Sequence, residues 1–117
     1  MGTPTALVVD GDWRIRKLVR TNLEAGGLSV VEAGDARGCL RALSSAPVDL
    51  LLLSAQLPDA NGWNIIRQLR VEAGHAEVPI IVMVPEPANS RLLRRFHRVS
   101  QLLKPFSALT LLASVDQ

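Results

Sequence analysis

Apolar runs rich in leucine and β-branched residues recur along the chain at Ala6–Val9, Leu28–Val31, Leu50–Leu53, Pro79–Val84 and Gln101–Leu103. They are almost uniformly apolar instead of alternating, the pattern of parallel strands covered on both faces. Stretches of helical period lie between them. The first places Ile15, Leu18, Val19 and Leu23 on one stripe, with Arg14, Arg16, Lys17 and Arg20 around it; Asp12 is its N-cap, and Gly26 and Gly27 end it. The second follows Asp35 as cap, buries Ala36, Cys39, Leu40 and Leu43, and stops before Pro47. Asn61 and Gly62 precede a third carrying Ile65, Ile66, Leu69 and Ala73. A fourth is expected from Leu92, Leu93, Phe96 and Val99 among Arg91, Arg94, Arg95 and Arg98, and a short fifth begins near Ser107.

A βα unit repeated five times predicts an α/β fold in three layers, an open parallel sheet between helices joined by right-handed crossovers. In such sheets ligands sit outside the carboxyl ends of the strands. The positions to inspect are therefore Asp10, Ser54, Val84 and Lys104, which follow or close the first, third, fourth and fifth runs.

Composition adds limits. The chain has 117 residues, 48% hydrophobic and 21% charged, which fits one globular domain over 1–117 and excludes a disordered tail, a collagenous repeat or a coiled coil. The single cysteine, Cys39, cannot form an intramolecular disulfide, so a reducing compartment is the simpler expectation. Met1–Thr5 carries no basic residue, and the apolar runs are too short to span a membrane. A cytoplasmic domain with no membrane contact is expected, and the short fifth helix suggests the N-terminal part of a longer chain. Lys and Arg number 13 against 11 Asp and Glu, a net charge of +2 that is too small to diagnose nucleic-acid binding.

Four stretches together resemble the receiver domain of bacterial two-component response regulators. They are Leu7-Val8-Val9-Asp10, Leu50–Ser54 followed by Leu57-Pro58-Asp59-Ala60-Asn61-Gly62, Pro79-Ile80-Ile81-Val82, and Lys104-Pro105-Phe106. The resemblance runs from Ala6 to about Val115. It implies a flavodoxin-like (βα)5 sandwich with strand order 2-1-3-4-5. It also implies a pocket that takes a phosphoryl group from a histidine kinase onto an aspartate, using a divalent metal. That chemistry calls for a carboxylate nucleophile, further carboxylates to hold Mg²⁺, and a lysine to neutralise the phosphate.

Matched by position, little of the machinery is kept. Asp10 stands at the first metal-site acid, but Gly11 occupies the place of the second and Ser54 the place of the phosphorylated aspartate. Gln56 falls where a backbone carbonyl completes the metal shell. Val84 replaces the hydroxyl residue of strand four, and Pro85 after it has no N–H to give a phosphoryl oxygen. Gln101 sits where the switching aromatic belongs; Lys104 and Pro105 are kept, and the family's lysine-proline bond there is commonly cis. The spacing from strand four to Lys104 is about two residues short of the family's, and His97-Arg98 stands where it has Gly-Ala, so a shorter or tilted fourth helix is expected. No histidine or free carboxylate is placed to activate Ser54. With one carboxylate aimed at the pocket, neither catalysis nor tight Mg²⁺ binding is expected. Lys104, short of anionic partners, is expected to pair with Asp10 or reach Ser54. Acids at Gly11 and Ser54 would raise 11 acidic residues to 13 and bring the net charge to zero, so the basic surplus reads partly as a trace of lost carboxylates.

The plainer readings are a structural salt bridge for Asp10, an inert core position for Cys39, no metal role for His75 or His97, and a solvated face for the fourth helix. The sharper reading of Arg91, Arg94, Arg95 and Arg98 is an interaction surface, because the resembled family dimerises or contacts partners through helix four, strand five and helix five. The expected function is a phosphorylation-independent receiver-like module in a two-component-type system. It acts through a protein partner or homodimer, with an output domain on the same chain compatible with it and no direct nucleic-acid contact. One rival is a sensor of small organic anions in the vacated cleft walled by Trp13, Val84 and Lys104. The other is a phosphorelay receiver with an unexpected acceptor.

Overall fold

The computed structural model describes residues 2–116. The apolar runs become parallel strands β1 (Thr5–Val9), β2 (Ser29–Ala33), β3 (Leu50–Ser54), β4 (Ile80–Val84) and β5 (Val99–Leu103). They form one sheet in the order β2-β1-β3-β4-β5, as the resemblance implies. Helices α1 (Trp13–Ala25), α2 (Ala36–Ser45), α3 (Gly62–Val71), α4 (Ser90–Arg94) and α5 (Ala108–Val115) alternate with them.

Uniform hydrophobicity of the central strands has a simple cause. On β1, Leu7 and Val9 enter one core while Ala6 and Val8 enter the other, so both faces of the strand need apolar side chains. The first core adds Leu51, Leu53, Val82 and Val84 to the buried side chains of α2 and α3, and the second joins Leu52, Ile81 and Met83 to Val19 and Leu23 of α1 and Leu111 of α5. The edge strands β2 and β5 are buried only in part.

Caps lie where the sequence places them. Asp12, Asp35, Asn61 and Ser107 each accept a backbone N–H of their own helix, from Arg14, Gly38, Trp63 and Thr110 respectively. Gly27, with φ of 96°, occupies the left-handed region that ends α1.

The fourth helix is the departure. Of the expected stripe only Leu92 and Leu93 lie in α4; Phe96 falls in the following turn and Val99 opens β5. Sheet pairing overrides the helical period here. Arg98 takes φ of 56°, its carbonyl accepts Ile80 N–H at 3.0 Å, and Val99 pairs with Ile80. Phe96 stacks on Trp63 with ring centroids 6.3 Å apart.

Candidate functional site

Parallel strands bring Asp10, Ser54, Val84 and Lys104 to one end of the sheet. Asp10 follows β1 and is 3% exposed. Its backbone N–H donates to the Ala33 carbonyl at 3.1 Å, and its own carbonyl accepts Arg16 Nη1 at 2.7 Å. Oδ1 accepts Asp12 N–H at 2.9 Å. Oδ2 lies 2.6 Å from Lys104 Nζ, an ion pair whose angle falls short of a hydrogen bond.

Ser54 ends β3 and is 1% exposed. Its hydroxyl donates to the Gln56 carbonyl at 2.9 Å and accepts Lys104 Nζ at 3.2 Å and Gln56 N–H at 3.3 Å. The hydroxyl proton is thus committed to a carbonyl, and among the described residues no carboxylate or imidazole accepts a hydrogen bond from it. Lys104 does both things expected of it, pairing with Asp10 and reaching Ser54. Its backbone N–H donates to the Val84 carbonyl at 2.7 Å, and the Lys104–Pro105 peptide is cis.

The remaining pocket positions offer little to an anion or a metal. Val84 is 2% exposed and packs in the core, while Pro85 is exposed. Gly11 is also exposed, and a Cβ there would lie 3.3 Å from the Pro58 ring. Asp12 is no second ligand: it caps α1 and pairs with Arg14 at 3.0 Å, and that guanidinium holds its carboxyl below the ordinary range. Asp59 is turned elsewhere, accepting the N–H groups of Ala36 and Arg37 at 2.8 and 3.2 Å. Among the described residues no three His, Cys, Asp or Glu side chains gather to hold a metal ion. The donor set at the strand ends is one buried carboxylate, already faced by an ammonium group, and it does not fit Mg²⁺.

Of the walls expected for a strand-end cleft, Val84 is buried in the core and Trp13 stands on the surface. Trp13 is 61% exposed and lines the outside of α1 with Lys17, Leu18 and Thr21. Its position in the first turn of α1 aims it outward, away from the sheet. A hollow lined by Leu28, Asp49, Pro79, Arg98 and Ser114 opens at the other end of the sheet.

Arg91, Arg94, Arg95 and Arg98 are all exposed. Gln101 holds a contact that spacing does not announce: its Oε1 accepts Ala88 N–H at 2.7 Å, tying β5 to the β4–α4 loop. Arg70 is a second such residue. Its guanidinium donates to the carbonyls of His97, His75, Val78 and Arg98 at 2.7, 3.0, 2.6 and 3.3 Å. Arg16 is a third, bridging the Asp10 carbonyl and Glu32. Each joins segments distant in sequence, so only the assembled topology reveals them.

Comparison with known proteins agrees with this architecture. A family model described as the response regulator receiver domain matches residues 6–116. The DNA-binding dual master transcriptional regulator RpaA of Synechocystis sp. is 30% identical over 115 residues, 96% of this chain and 47% of that protein. The KDP operon transcriptional regulatory protein KdpE of Escherichia coli is 41% identical over 78 residues, 66% of this chain and 33% of that protein. The chain thus spans about half or less of the length of these curated relatives. Among solved structures, the chemotaxis response regulator CheY4 of Vibrio cholerae shares the fold with a TM-score of 0.91 over 98% of both chains, at 24% identity.

Proposed function

The chain belongs to the response regulator receiver domain family, and from that premise we propose that it is an atypical receiver, one that signals without aspartyl phosphorylation and works as a protein-interaction module. The observation that carries this reading is the occupied centre of the pocket. Where the chemistry calls for a free carboxylate and a metal, Ser54 Oγ donates to the Gln56 carbonyl at 2.9 Å and Lys104 lies 2.6 Å from Asp10. Val84 and Pro85 offer neither a hydroxyl nor an N–H to a phosphoryl oxygen.

The face built by α4, β5 and α5 is the proposed contact surface, with Arg91, Arg94, Arg95 and Arg98 selecting an acidic patch on a protein partner or on a second copy. Receiver domains are signalling domains, not enzymes. The named relatives are transcriptional regulators, which supports a cytoplasmic role in transcription, exerted through an output domain or partner and not by this domain touching nucleic acid.

Incubation with acetyl phosphate and Mg²⁺ followed by intact-mass measurement tests the reading. The mass is expected to stay unchanged. A one-phosphate adduct would overturn it and establish an unexpected acceptor.

A further inference from the structure

Helix α4 spans Ser90–Arg94 and fully buries none of its residues; half-buried Leu93 alone packs it against the first core, too little to fix the direction of a five-residue helix. Two side chains from other elements hold its ends. At the exit, Arg70 of α3 grips the carbonyls of His97 and Arg98 at 2.7 and 3.3 Å. At the entry, Gln101 Oε1 accepts Ala88 N–H at 2.7 Å, one residue before the Asn89 cap. Gln101 lies on β5 opposite Val82 of β4, on a rigid sheet. The loop it holds contains Pro85 and Pro87, which fix their own φ and donate no hydrogen bond. Ala88 N–H therefore closes the loop against β5 in a way the prolines cannot.

We propose that Gln101 is the positioning residue of the arginine face: by holding Ala88 it fixes the direction in which α4 presents Arg91, Arg94 and Arg95. The inference rests on the reading of that face as the contact surface, and it gives Gln101 a role of its own, a fixed latch between β5 and the loop. The latch is neutral, so it holds equally across the physiological pH range.

The test compares Gln101→Met, which keeps length but loses the acceptor, with Gln101→Glu, which keeps both. In ¹⁵N-labelled full chain, Gln101→Met is expected to speed exchange of the Ala88 amide roughly tenfold, as loss of one local hydrogen bond allows. It is also expected to shift the amide resonances from Asn89 to Arg95, while Gln101→Glu matches the parent. Unchanged Ala88 exchange and α4 resonances in Gln101→Met, with the protein folded, would overturn the proposal. Titration with a decaglutamate peptide is expected to show weaker binding to Gln101→Met than to the parent. Equal binding despite a released Ala88 overturns the positioning role. If the parent neither binds decaglutamate nor self-associates in sedimentation, the reading of the face as a contact surface fails, and the α4 resonances alone then decide whether Gln101 sets the helix.

Discussion

Lys104 and Asp10 meet at 2.6 Å although they follow β5 and β1, strands that β3 and β4 separate in the sheet. The contact spans the carboxyl ends of the whole central sheet, and it places the ammonium group where it also reaches Ser54 at 3.2 Å. The Asp10 side chain is 4% exposed and that of Lys104 24%. A carboxylate so placed needs its counter-charge. Replacing Lys104 with Met leaves Asp10 buried and unpaired and is expected to cost about 2–3 kcal/mol in urea unfolding. Adding Asp10→Asn should recover part of that loss, a coupling that simple additivity of the two single variants would disprove.

The missing acids define a reconstruction. Gly11→Asp with Ser54→Asp would set three carboxylates around the strand ends, and the Pro58 ring, 3.3 Å from a Cβ at Gly11, has only to shift slightly. The double variant is expected to bind Mg²⁺ in calorimetry where the parent gives no heat. Silence from the double variant would show that more than carboxylates has been lost.

Gly62 opens α3 against β3. A Cβ on it would sit 2.3 Å from the Ser54 carbonyl oxygen, a backbone atom that cannot swing aside, and Gly62 N–H already donates to Ala55 at 2.8 Å. Gly62→Ala is expected to destabilise by about 3 kcal/mol or more and to lower the thermal midpoint accordingly. Gly26→Ala, where the nearest foreign atom lies at 3.4 Å, serves as the mild control.

Asp59 links the β3–α3 loop to the start of α2. Ala36 N–H, then Arg37 N–H, stabilise its charged form and hold its pKa below the ordinary 3.8. With the folded value depressed, the contact stabilises the fold above the ordinary carboxylate range and is lost as pH falls through it. Between about pH 5 and about pH 3 the parent should lose more of its thermal midpoint than Asp59→Asn does. Parallel pH profiles for the two proteins would contradict this.

Cys39 is fully buried in the core between α2 and the sheet, and burial pushes its thiol up to about 12. Neither thiolate nor access is available in the folded state. Iodoacetamide is therefore expected to leave the native protein unlabelled and to modify Cys39 only at the rate of unfolding; prompt labelling without denaturant would refute the assignment.

Strand positions, helix caps and the Asp10–Lys104–Ser54 cluster were legible in the sequence because each follows from local chemistry or from parallel topology, whereas the sheet order came only with the family resemblance. Asp12 caps its helix because an acid precedes an amphipathic period, and Lys104 finds Asp10 because both strands end on the same side. That α4 is short was legible from the spacing between the fourth run and Lys104, but the residue at which it ends was not. A helical period continued through Phe96 and Val99, but the pull of β4 on Val99 and the grip of Arg70 on two carbonyls arise only when distant segments meet. The same is true of Asp59, which reads as a loop residue until α2 is laid beside it. Trp13 illustrates the converse: its place in the chain was clear, but the outward direction of its ring depends on which face α1 turns to the sheet.

The two indoles of the chain also divide the molecule optically. Trp13 stands 61% exposed on α1, whereas Trp63 stacks on Phe96 at 6.3 Å, between the start of α3 and the turn that leaves α4. A water-soluble quencher will reach the first more readily than half-buried Trp63, so the emission that resists it reports mainly on the seam between α3 and the arginine-bearing segment. Docking of a partner on that segment should therefore register in the protein's own light, without any attached dye.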